Sequence, residues 1–141
     1  MTEFKLVIAD SKTGKCSQRE VKDQDASFFL GKKIKDVVKG EVLGLQGYEF
    51  EITGGSDDCG FPMRYDVKGS ARKKILAISG VGLKEKGKGV RQRKTVCGNT
   101  VHEKISQINL KILKAGKEPL EKAPEEEAKS EAEEKSEEKK E

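Results

Sequence analysis

Several groups of residues in this 141-residue chain have types and spacings that could do chemistry. The first is Gly82-x-x-x-x-Gly87-Lys88, which begins like a loop that cradles nucleotide phosphates with backbone N–H groups and a lysine. Such a loop needs Ser or Thr at the next position to hold magnesium, and a helix starting there. Here Gly89 follows, and Val90-Arg91-Gln92-Arg93-Lys94-Thr95 carries no helical apolar stripe. A nucleotide hydrolase built on Gly82 to Lys88 is therefore only a remote alternative. Cys97 and His102 have the chemistry of a nucleophile and its base, but no third residue is evident to orient the histidine. Asp57 and Asp58 lack both a catalytic partner and the alternating oxygen ligands with a distal Glu that a calcium loop needs. Cys16, Cys59 and Cys97 form no C-x-x-C pair and share the chain with a single histidine, so a four-ligand zinc site has no pattern to rest on. Reduced, partly buried thiols are the expectation. No catalytic residue, metal or cofactor is expected, and no small-molecule substrate.

The remaining group is basic. From Arg64 to Lys94 there are 11 basic residues against only Asp66 and Glu85, a net of +9. The members are Arg64, Lys68, Arg72, Lys73, Lys74, Lys84, Lys86, Lys88, Arg91, Arg93 and Lys94. Charge concentrated in this way makes a local potential suited to a polyanion. The glycines among the lysines allow tight bends against a phosphate ridge, and arginines donate paired hydrogen bonds to phosphate oxygens. These eleven residues are the candidate RNA contacts. If a strand around Ile75-Leu76-Ala77-Ile78 turns Ile75 and Ala77 inward, Lys74 and Leu76 point outward, so the cluster cannot all face one ligand. Stacking on bases would call for several exposed aromatics, and Tyr48 and Phe50 read as core. Recognition by phosphate and shape is the expectation.

These cations need a scaffold. Phe4 to Ile8 and Cys16 to Val21 read as a hairpin around Thr13-Gly14-Lys15, and Asp25 as the cap of a short helical segment stopped by Gly31. Short strands are expected over 34–38, 41–45, 48–53 and 72–79, with a last one around Ile108, Leu110 and Ile112. In Tyr48 to Thr53, a period of two puts Tyr48, Phe50 and Ile52 on one face. Six or so short, glycine-punctuated strands predict a mainly β fold, a small closed or partly open β-barrel. Gly54-Gly55 reads as the end of a strand. Gly54, Gly55, Asp57, Gly60, Phe61, Pro62 and Met63 then form an ordered, self-packed loop, closed by aspartate turns and setting Arg64 beside the basic region.

With 33% hydrophobic and 38% charged residues, the core is modest. No apolar run reaches membrane-spanning length, and the opening MTEFKLVIAD does not resemble a signal peptide, so a cytoplasmic protein is expected. The composition changes near residue 117. Residues 118–141 hold 11 acidic and 5 basic residues, a net of −6, and read as a disordered Glu/Lys/Ala/Ser tail following a 1–117 RNA-binding domain.

Gly54-Gly55-Ser56-Asp57 with Gly60-Phe61-Pro62-Met63-Arg64 is similar to the signature of the S6e family of small-subunit ribosomal proteins. The resemblance continues through Ile75-Leu76, Gly80-Val81-Gly82, Arg91 to Val96, Gly98-Asn99-Thr100 and Gln107-Ile108-Asn109, and covers roughly residues 1–115. It implies a β-barrel-like constituent of the small ribosomal subunit, bound to ribosomal RNA and neighbouring ribosomal proteins and supporting assembly and translation. The short length resembles the archaeal form. Eukaryotic members carry a long basic C-terminal helix with phosphorylated serines; the acidic tail here departs from it, and kinase signalling is not carried over. Cys97, where the family often has Arg, and Glu85 among the lysines are further departures. A transient RNA-binding translation or assembly factor is the alternative that the same residues allow.

Overall fold

Alternation of apolar side chains decides which face of the sheet is buried. The computed structural model describes residues 3–84 and 86–116. In it, Glu3–Ala9 (β1) pairs antiparallel with Cys16–Lys22 (β2), Phe4 opposite Val21. The Asp10 carboxylate closes the connecting turn by accepting from the Lys12 N–H (2.9 Å) and the Thr13 hydroxyl (2.8 Å). The helix α1 spans Asp23–Ser27, starting three residues earlier than a cap at Asp25 implies, so Asp25 lies inside it and does not cap it. Val37–Lys39 (β3) is followed by a 3-10 turn at Gly40–Leu43 where a strand over 41–45 is predicted. Gly44, at φ 71°, donates its N–H back to Glu41 O (3.1 Å), and this left-handed step closes the turn.

Glu49–Asp57 (β4) runs straight through Gly54-Gly55, which the sequence marks as its end. Lys73–Ala77 (β5) and Gln92–Val96 (β6) pair with each other, and Ile105–Lys114 (β7) completes the sheet. The main sheet has five strands in the order β2-β1-β7-β4-β3, with β1 and β7 parallel and the other pairs antiparallel. β5 and β6 form a separate two-stranded ribbon. The fold is thus mainly β, but the predicted barrel does not close. The 41–45 segment turns instead of pairing, β5 pairs only with β6, and among the described residues no pairing joins the edge strands β2 and β3.

Phe4, Leu6 and Ile8 from β1, Ile108, Leu110 and Ile112 from β7, and Phe50 and Ile52 from β4 all face one core, as the period-two reading of 48–53 and 108–112 predicts. Ala26, Phe29, Leu45, Met63, Cys97 and Val101 cover that face. An irregularity in the β4–β7 pairing sets the direction of the residues at the end of β4. A register shift between Ile52 and Gly54 leaves Thr53 as the extra residue, bonded through Oγ1 to Asn109 O (3.0 Å). A second shift, between Ser56 and Asp57, brings Asp57 opposite buried Ile105, and the shift at Thr53 moves the pleat by one, so that Gly55 opposes buried Ile108. Without the shift at Thr53, Asp57 would point away from the core. The acidic tail predicted for 118–141, and Glu85, lie outside the described residues.

The two adjacent glycines therefore have opposite requirements. A Cβ on Gly55 would stand 2.3 Å from Gln107 O and 3.1 Å from Met63 Sδ, whereas one on Gly54 would meet nothing within 4 Å. Gly55→Ala is expected to destabilise the protein by roughly 3 kcal/mol, at the upper end of overpacking costs. Gly54→Ala should stay within about 0.5 kcal/mol of the parent. Urea unfolding of the two variants checks this, and equal midpoints would contradict the register.

Candidate nucleic-acid interface

The segment after β4 joins the sheet to the β5–β6 ribbon. Gly60, at φ 80°, lets the chain reverse so that its N–H reaches Asp57 O (2.9 Å). Pro62 and Met63 then return between two neighbours. The Met63 N–H donates to Gly55 O (2.9 Å) on the sheet side, while Cys97 N–H donates to Pro62 O (2.9 Å) and Arg64 N–H to Cys97 O (3.1 Å) on the ribbon side. Gly98 completes the junction. A Cβ there would overlap Gly69 O at 1.8 Å, so only glycine lets the two backbones approach this closely.

Asp57 sits at the centre of the junction and is only 2% exposed. Its carboxylate accepts from Arg72 Nε (2.5 Å) and from the Asp58 N–H (2.6 Å). Arg72 also donates through Nη2 to Asp58 Oδ1 and packs 5.4 Å from the centre of the Phe61 ring. The Arg72 hydrogen bond, with help from Asp58, outweighs the effect of burial and holds the Asp57 carboxyl down to about 2. Asp57, Cys97 and His102 place their donor atoms within 4.8 Å of one another. Arg72 already matches the Asp57 charge, and burial pushes the Cys97 thiol up from its usual range, so this donor set favours a thiol proton and a guanidinium over a metal ion.

Arg64 forms a second clamp. Nε and Nη2 donate to both oxygens of Asp66 (2.9 and 2.8 Å), and Nη1 donates to Val81 O (3.2 Å). Its side chain is only 14% exposed, and the Asp66 carboxylate raises its pKa while being lowered in return. Arg64 and Arg72 thus have their guanidinium groups engaged by the protein's own carboxylates.

The other candidate residues are spread along the ribbon and its connection. The cross-strand register puts Lys74, Leu76, Arg93 and Thr95 on one face of the ribbon, and Lys73, Ile75, Lys94 and Val96 on the other. The first face is open to solvent, with Leu76 55% exposed; on the second, Ile75 is half-buried and Val96 fully buried. Arg93 and Lys94, adjacent in sequence, therefore point opposite ways. Arg91 is exposed just before β6, and Lys84, Lys86 and Lys88 are exposed in the connecting loop. Lys68 is exposed beside the positive-φ Gly69. Buried Gln92 donates through Nε2 to Lys84 O (2.5 Å), tying the loop to β6. The strands expected from the sequence include none over 92–96, so both β6 and this glutamine are missed. An uncharged residue inside Arg91-Gln92-Arg93-Lys94 is the signal that could have marked it.

The family model described as Ribosomal protein S6e matches residues 4–125. The small ribosomal subunit protein eS6 of Nitrosopumilus maritimus is 49% identical over 141 residues, covering all of both chains. The protein of that name from Archaeoglobus fulgidus is 47% identical over 120 residues, 84% of this chain and 93% of its own. That of Methanococcus maripaludis strain C5 is 46% identical over 122 residues, 86% of this chain and 96% of its own.

The Asp57–Arg72 pair generates an acid limb in stability. Because the folded carboxyl sits near 2 against an ordinary 3.8, its contribution is full above about pH 4 and is lost as pH falls towards 2. The difference corresponds to about 2 kcal/mol. Asp57→Asn removes the charge that Arg72 faces and should cost roughly 2–3 kcal/mol at pH 7, below the range for a fully buried pair because Arg72 keeps some water. Denaturant unfolding between pH 2 and 7 should show this limb in the parent and a shallower one in the variant.

Proposed function

Because this chain belongs to the ribosomal protein S6e family, we propose that it is a structural constituent of the cytoplasmic small ribosomal subunit, held there by ribosomal RNA lying against the β5–β6 ribbon. Neighbouring ribosomal proteins are its other partners. One observation carries the RNA contact. Among the described residues, none of Lys73, Lys74, Lys84, Lys86, Lys88, Arg91, Arg93 and Lys94 is in an ion pair, whereas Arg64 and Arg72 are. Cations left without carboxylates on a two-stranded projection suit a polyanion, whose binding releases the counterions condensed on it. Arg64 and Arg72 serve this site as positioning residues that hold the ribbon against the sheet. Residues 1–117 form the RNA-binding unit. The acidic 118–141 segment, with its net −6, competes with RNA for the basic face before assembly.

The outward face made by Lys74 and Arg93 is the principal phosphate contact. Lys74→Gln with Arg93→Gln is expected to lower the salt slope of binding to small-subunit ribosomal RNA by about 1 to 2, the loss of up to two phosphate contacts. Lys73→Gln with Lys94→Gln, on the opposite face, should change it by less. An unchanged slope in the first variant would remove the ribbon from the interface. Fractionation of a native lysate on sucrose gradients tests the wider reading. Near-stoichiometric migration with the small subunit through a high-salt wash marks an integral constituent, and release to the light fractions marks a transient factor. Deleting 118–141 should speed association with non-specific RNA, and an unaltered rate would refute the shielding role.

A further inference from the structure

A cleft of about 220 Å³ opens between β4 and the loops around it, with an apolar floor of Ile34, Ile52 and Met63, and with exposed Val81 and Tyr65 at its side. Tyr65 is 63% exposed, while the chain's other tyrosine, Tyr48, is buried against Phe50. The Lys35 ammonium stands over one face of the Tyr65 ring, 4.7 Å from its centre, so a stacked base must take the other face or displace it. We propose that this cleft takes a single unpaired nucleobase of ribosomal RNA, stacked on Tyr65, with Lys35 reaching the phosphate beside it. The proposal rests on the RNA-binding reading above and adds a base contact to what is otherwise a phosphate interface.

The walls are held before any ligand arrives. Lys35 adopts φ 80°, a conformation unfavourable for a side-chain-bearing residue, and its N–H donates to Ile52 O (2.7 Å). Asn99 fixes the stretch that carries Tyr65: Nδ2 donates to Tyr65 O (3.3 Å), and its own N–H to Val67 O (2.8 Å). Arg64 binds Val81 O and so fixes the turn on the far side. Gly82, at φ 82°, lies so close to Pro62 that a Cβ there would stand 2.8 Å from Pro62 Cγ. Pre-ordered walls reduce the entropy cost of trapping a ligand.

Size and chemistry select the occupant. The cleft is smaller than the roughly 300–1,000 Å³ typical of sites for drug-sized molecules. An apolar floor with an exposed aromatic ring suits a planar base, whose π-face stacks irrespective of sequence. Glu51, half-buried at the rim, would repel a phosphate but can accept a hydrogen bond from a base amino group. Exposed Lys33 and Lys35 supply the charge for the flanking backbone.

The test uses the full chain with deproteinised small-subunit ribosomal RNA, titrated at several salt concentrations. Tyr65→Ala should weaken binding about tenfold at every salt with the slope unchanged, because stacking releases no counterions. Tyr65→Phe should bind like the parent. In assembled subunits, replacing Tyr65 by the photoreactive p-benzoylphenylalanine should give an adduct to a nucleotide. Parent-like binding by Tyr65→Ala, a reduced slope in that variant, or an adduct to protein would each overturn the proposal. These results are separable from failure of the RNA reading, which shows as an unchanged slope in the Lys74/Arg93 variant or as no RNA binding at all.

Discussion

The Asp57 carboxylate, turned into the core by a bulge in β4, is the constraint on which the rest of this molecule depends. A buried carboxylate in so small a core would be costly if left alone. It is tolerated because Arg72, one residue before β5, supplies the opposite charge from the side of the ribbon. The pair therefore joins the two parts that carry the protein's properties, the apolar sheet and the basic projection. Asp58 and the Phe61 ring hold Arg72 from two further directions, so the approach of the ribbon is set by geometry as well as by charge.

The glycines of this region follow from the same constraint. Gly55 must be bare because Gln107 O and Met63 occupy the space above it, and Gly98 because Gly69 O does. The GGSD and GFPMR stretches are thus the two sides of a joint, which explains why neither carries catalytic chemistry despite its density of unusual residues. Arginine and lysine divide the labour across it. Arg64 and Arg72 use their planar, multi-donor groups for fixed internal contacts, and the lysines of the loop keep theirs in water.

Much of the sheet was legible in the sequence, because alternation in Tyr48 to Ile52 and Ile108 to Ile112 reports directly which face is buried, and the apolar run Phe4 to Ile8 marks a strand. What escaped depends on contacts distant in sequence. Gly54-Gly55 carries ordinary strand-ending residues, and only pairing with β7 draws them into β4. β6 was hidden because Arg91 to Lys94 has a loop-like composition and alternates only once paired with β5. The closed form of the barrel was not met for a related reason: strand number can be counted from turn signals, whereas closure depends on which edges meet. For the candidate interface, sequence located the cations but could not tell Arg72, committed to Asp57, from Lys74, facing water. Tyr65 gave no signal at all, since exposure of one aromatic outside any alternating run is a property of the assembled joint.

A two-stranded ribbon is marginal by itself, and this one carries repelling charges. Its buried side is limited to Val96, Gln92 and the half-buried Ile75 and Ala77. The ribbon must therefore draw its order from the joint at its base: the Asp57–Arg72 and Arg64–Asp66 pairs, the Met63–Cys97 bridge and the Gln92 contact to Lys84. Such an arrangement suits a structural partner of RNA. The hydrogen bonds and ion pairs at the base set the direction in which the cations project, and phosphates bound there would relieve the ribbon's self-repulsion. Under the proposed RNA contact, binding would stabilise the ribbon by neutralising it, so the charge that weakens the isolated ribbon would be the charge that fastens it.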